Sequence, residues 1–137
     1  MLLPCEVAVK TVIPAIRSAI VKIMYNELGF KQVEIAESLN ITQAAVSQYI
    51  RGIRGTAISV DSIPEIHDEI ISFINKVIAE NISRDKQVIQ YCKLCNIIRA
   101  KGLMCKTHKQ YDLTLRTHDC RLCKSFKCGF NTAVHNP

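Results

Sequence analysis

No stretch of the sequence stays apolar for the roughly 20 residues that a membrane-spanning helix needs, so no membrane segment is expected. Nor does a basic segment precede an apolar one at the N-terminus: Met1-Leu2-Leu3 runs straight into Pro4, Cys5 and Glu6. No secretory leader is read there, and a cytoplasmic location is expected. Tryptophan is missing, and Phe and Tyr together make up 6%. The 48% hydrophobic content therefore rests on Ile, Val, Leu and Ala, enough for a real core and too much for wholesale disorder. Paired carboxylates, a phosphate-binding glycine loop and a Ser-His-Asp arrangement are also missing, and Asp112 and Asp119 stand alone. Neither enzymatic activity nor a small-molecule substrate is expected.

What is present is unevenly distributed. The 137 residues carry a net charge of +6 and suffice for one ordinary domain or two small ones. Residues 1–83 hold seven Lys/Arg against nine Asp/Glu, about −2; residues 84–137 hold eleven against three, about +8. A split of this kind points to two functional parts, the basic one suited to a polyanion such as nucleic acid. Helical spacing dominates the first part. Thr11 is placed to cap a helix with Pro14 in its first turn and Ile16, Ile20, Ile23 and Met24 on one face, stopping near Gly29. A second helix is predicted from about Lys31 to Leu39, and a third from a Thr42 cap to about Arg51. Ser62, Pro64 and Glu65 open another, whose apolar stripe is Ile66, Ile70, Ile71, Ile74, Val77 and Ile78, with Phe73 beside it. That stripe closes its own core, makes a dimer, or does both. Asp85 to Tyr91 reads as a further helical stretch; beyond Gly102 the periodicity fades.

The stretch FKQVEIAESLNITQAAVSQYIRGIRG carries the most specific signal. Two short helices joined by a tight turn need a small residue where they approach, and Ala36 fits. Ile35, Leu39, Ile41, Val46 and Ile50 supply the shared apolar contacts. The second helix keeps a polar outer face of Thr42, Gln43, Ser47 and Gln48. Gln pairs with adenine N6 and N7, Ser donates or accepts, and Ala44 suits a thymine methyl. Arg51 and Arg54 are assigned to phosphates. On QVEIAESLNITQAAVSQYIRG the chain resembles the lambda-repressor-like (XRE-type) helix-turn-helix regulators. The resemblance implies a helical unit over roughly residues 10–58, with Thr42, Gln43, Ala44, Ser47 and Gln48 facing the groove and Gln32 holding a backbone phosphate. It further implies double-stranded DNA as partner and a homodimer matched to a two-fold operator. Asn40 stands where many members have Gly, and Asn tolerates the left-handed turn.

The remaining signal is cysteine: Cys92-x2-Cys95-x9-Cys105-x14-Cys120-x2-Cys123-x4-Cys128. In a reducing compartment this spacing points to metal or redox chemistry rather than structural disulfides. Two CxxC turns bring four thiolates to one Zn²⁺ or to an iron–sulfur cluster. His108 and His118 are read as surface residues, and Cys5 as a small buried hydrophobe. No strand pattern accompanies the CxxC pairs, which sets aside a thiol–disulfide oxidoreductase. The chain also resembles archaeal XRE-type regulators with a cysteine-rich C-terminal region, which implies a cluster ahead of zinc. Lys93, Arg99, Lys101, Lys106 and Lys109 are candidates for flanking DNA contacts.

The expected architecture is mainly α. A helix-turn-helix domain (1–58) leads through a connecting or dimerisation helix (59–86) into a small cysteine-rich region that binds metal or a cluster (87–137). The expected function is a sequence-specific transcriptional regulator, redox- or metal-responsive. The alternative is a zinc-ribbon nucleic-acid-binding adaptor without a sensing role.

Overall fold

In the computed structural model, residues 1–60, 62–117 and 120–125 are described, and every regular element among them is helical. The first, α1, spans Pro4–Lys10. It was not expected from the sequence, being only two turns long. Pro4 opens it where a missing N–H costs little, and the Glu6 carboxylate accepts from the Leu3 N–H at 2.6 Å. Thr11 does not cap the next helix with its side chain. It is fully buried, and its hydroxyl donates back to Val7 O at 2.7 Å, so Thr11 joins α1 to α2 (Val12–Lys22). A π-helical segment, Ile23–Glu27, extends α2.

The two helices of the central motif follow as expected. α3 spans Gln32–Leu39 and ends on Asn40 in the left-handed conformation, φ 55° and ψ 41°. α4 spans Gln43–Ile50, with Thr42 Oγ1 accepting from the Ala45 N–H at 3.1 Å. Residues 51–63 form a connection, and α5 spans Pro64–Ile78. Its N-cap is Ile63, one residue beyond the expected Ser62. α6 runs Arg84–Ala100, much further than the expected stretch, because Ser83 caps its start and Tyr91, Leu94, Cys95 and Ile98 give it a continuous buried stripe. Past Gly102, where helical periodicity fades, the chain is still helical: α7 spans Cys105–Tyr111, a 3₁₀ turn Leu113–Thr117, and α8 Leu122–Ser125.

One apolar cluster runs through all of this, from Val7 to Met104. At its centre lies α2, whose Val12, Ala15, Ile16, Ala19, Ile20 and Val21 are all buried. α1, α4, α5 and α6 all pack against it. The apolar stripe of α5 turns inward: Ile66, Ile70, Phe73, Ile74 and Val77 are buried, while Ile78 stays 40% exposed. Aromatic and cationic contacts close the far side. The Phe73 and Tyr91 rings lie 5.0 Å apart, and the Arg17 guanidinium sits over Tyr91 at 5.3 Å. Burial pushes the Tyr91 hydroxyl up from its usual range, against the opposing pull of Arg17.

Polar ties join elements distant in sequence. Gln87, buried on α6, donates from Nε2 to Ser38 O at 2.9 Å, satisfying a carbonyl in the last turn of α3. Asp112 accepts from the Leu2 N–H at 2.9 Å and from Thr114, and His108 Nε2 lies 3.0 Å from Leu2 O. Hydrogen bonds from the Thr114 hydroxyl and the Leu2 N–H hold the Asp112 carboxyl down at about 2. A carboxyl depressed by folding contributes stability above its unfolded value, near 4, and loses that contribution as pH falls towards 2. Asp112→Asn is expected to lower the melting temperature at pH 7 and to flatten its fall between about pH 4 and 2, read by circular dichroism. Gly55 sets a second test. Its φ is +76°, and a Cβ there would come within 2.4 Å of Pro14 O on α2. Gly55→Ala is expected to cost more than about 1 kcal/mol in urea denaturation.

Candidate nucleic-acid interface

The sequence of α4 sorts its residues onto two faces. Ala45, Val46 and Tyr49 are buried, and Ile50 half-buried, against α2 and α3. Ile35, Ala36 and Leu39 of α3 meet them, Ala36 at the expected position of close approach. The opposite side of α4 is left open. Thr42, Gln43 and Ala44 are exposed, and Ser47 and Gln48 half-buried. At a helical repeat of 3.6 residues these positions form one stripe.

The surrounding positions support that stripe. Gln32 is half-buried at the first residue of α3. Arg51 caps the C-terminal end of α4 and is exposed. Arg54, also exposed, lies with its guanidinium 5.4 Å from the centre of the Tyr49 ring. Stacking of this kind holds a long side chain while leaving donors to water or a phosphate. Tyr49 thereby packs against the connection that carries Arg54. The turn is held by Asn40 and by the Ile41 N–H donating to Ala36 O at 3.1 Å.

The basic C-terminal residues fare differently. Lys93 pairs with Glu69 at 3.4 Å, Lys101 pairs with Glu65 at 2.5 Å, and Arg99 is buried. The two lysine pairs lie at the surface. Lys106 is exposed and Lys109 half-buried.

The thiols do not sit as the CxxC reading expects. Cys92 and Cys95 lie inside α6, one turn apart, where the backbone N–H groups serve the helix rather than the sulfurs. Cys95 is buried; burial pushes its thiol up, and the Arg99 guanidinium opposes that push. Cys105, Cys120 and Cys123 line a mainly apolar cavity of about 140 Å³ together with Met104 and His108. His108 is buried rather than at the surface, its Nε2 engaged with Leu2 O. Cys128 and His118 lie outside the described residues. Among the described residues no three His, Cys, Asp or Glu side chains converge as a metal ion would require. Cys5 departs from expectation as well: it is exposed, and its Sγ lies 3.8 Å from Arg99 Nη1. A separation of 94 residues leaves no local signal for that contact.

The open polar stripe on a buried two-helix scaffold has a counterpart among known families. Residues 21–66 match the helix-turn-helix family model. They form an XRE-type helix-turn-helix DNA-binding domain. The match begins within α2 and ends within α5, so the domain includes the connection carrying Arg54 and draws on both flanking helices for its core. No curated protein and no solved structure is found to match the chain. Among the described residues, no helix is long and apolar enough to cross a membrane.

The Thr42 cap lies inside the open polar stripe, which allows its structural share to be measured. Thr42→Ala is expected to destabilise the protein by about 1 kcal/mol in chemical denaturation, with Thr42→Ser close to the parent.

Proposed function

We propose that the protein is a sequence-specific transcriptional regulator whose α4 lies in the major groove of double-stranded DNA. The observation that carries this reading is the uncovered stripe from Thr42 to Gln48, held on a helix whose other side is buried. Gln43, Ser47 and Gln48 read base edges by hydrogen bonds, and Ala44 meets a thymine methyl. Gln32, Arg51 and Arg54 hold phosphates and set the register of the domain on the duplex.

A homodimer belongs to the same proposal, since two recognition helices one turn of duplex apart match a two-fold operator. α5 contributes little to it beyond Ile78 and the half-buried Ile71, because the rest of its stripe is spent inside the protomer. Metal or cluster ligation by the thiols forms no part of the proposal, which rests on α4 alone.

The test is selection of duplexes from a random pool, followed by gel shift on the enriched sequence. Gln43→Ala combined with Ser47→Ala is expected to weaken binding to the selected site by roughly 1–3 kcal/mol per lost base contact, leaving non-specific binding near the parent. Arg51→Ala is expected to weaken all sequences alike and to reduce the slope of log K against log salt by about one. Failure of every duplex to bind at low salt would overturn the proposal.

A further inference from the structure

Three thiols, those of Cys105, Cys120 and Cys123, line one cavity that the α4 stripe does not use. It lies between the start of the chain and the C-terminal helices. Leu2, Met104 and Leu115 help to make its walls mainly apolar, and its volume is about 140 Å³. An apolar cavity of roughly 150 Å³ takes up a single benzene ring. Two polar groups on the wall are already engaged: Asp112 accepts from the Leu2 N–H, and His108 Nε2 lies 3.0 Å from Leu2 O. Lys124 also lines the cavity, close to Cys105. Its Nζ and the Cys105 Sγ lie 3.8 and 3.9 Å from the point where a Cβ on Gly102 would stand. The walls thus suit a neutral ring, the ammonium suits an oxygen on that ring, and the thiols suit an electrophilic carbon.

We propose that this cavity binds a neutral single-ring quinone and that Cys105 adds to it. Cys105 is half-buried, with its sulfur on the cavity wall beside Lys124. The sulfur gives an electron pair to a ring carbon, and a sulfur–carbon bond forms. The ring double bond shifts, and its electron pair comes to rest on the conjugated oxygen, which takes the thiol proton. The attacked carbon then loses its hydrogen as a proton to the second oxygen. One thiol and one quinone become one hydroquinone thioether. Nothing leaves, and the two electrons that reduce the ring come from the sulfur. The Lys124 ammonium supplies a donor for the oxygen on which charge develops.

The inference does not depend on the DNA-binding proposal, and its test uses no DNA. Full-length reduced protein is mixed with one equivalent of 1,4-benzoquinone, quenched with excess thiol at short times and mapped by mass spectrometry. The first adduct is expected on Cys105, formed roughly tenfold faster than on the exposed Cys5, because the cavity positions the ring. Iodoacetamide, which has no ring to seat, is expected to reverse that order and label Cys5 first. Toluene, an unreactive ring of similar size, is expected to slow the Cys105 adduct and leave the rate at Cys5 unchanged. Leu115→Trp fills the cavity while keeping every thiol, and it is expected to remove the preference for Cys105, with circular dichroism reporting the fold. The toluene competition needs no variant and decides the matter if Leu115→Trp does not fold. A first quinone adduct on any other cysteine, the same order of labelling by both reagents, or no protection by toluene would overturn the proposal.

Discussion

The burial of α2 on nearly all sides is the constraint on which the other elements depend. Val12, Ile16, Ile20 and Val21 are fully removed from water, and small residues at Ala15 and Ala19 let neighbouring helices come close. Burying an Ile or Val side chain is worth about 1.5–3 kcal/mol. A single helix that supplies this area to α1, α4, α5 and α6 makes their placement cooperative. The orientation of α4, and so the direction in which Gln43 and Ser47 point, follows from the way Val46 and Tyr49 are seated on this core.

The C-terminal helices are joined to that arrangement by polar as well as apolar contacts. The Gln87 amide completes the last turn of α3 through Ser38 O, and Tyr91 lies between Phe73 and Arg17. Buried polar groups of this kind add specificity because each has a costly alternative if displaced. The helix-turn-helix domain and α6 therefore share one core. A change at α6 is in contact with the helices that hold α4, without passing through a flexible linker.

The thiols divide by environment rather than by motif. Cys92 and Cys95 share a helix with Arg99, which brings in Cys5 from the other end of the chain. Cys105, Cys120 and Cys123 face a separate apolar cavity beside Met104. A CxxC knuckle is a backbone turn at each pair. In α6 the hydrogen-bonded ladder continues through Cys92 and Cys95 instead.

Local chemistry alone determined the helical character of the chain, the two-helix motif and its polar outer stripe. Ala36, Asn40 and Thr42 each meet a requirement set within a few residues of themselves: close approach, a left-handed turn and a cap. The inward positions Ile35, Leu39 and Val46 follow from the helical repeat in the same way. Tertiary structure alone decided whether the α5 stripe served the core or a partner, because an apolar face does not name what covers it. It also decided that Arg99 is buried, that Lys93 and Lys101 pair with α5 carboxylates, and that Cys5 meets a guanidinium 94 residues away. These outcomes depend on which surfaces meet after the helices have formed, and sequence separation carries no information about that.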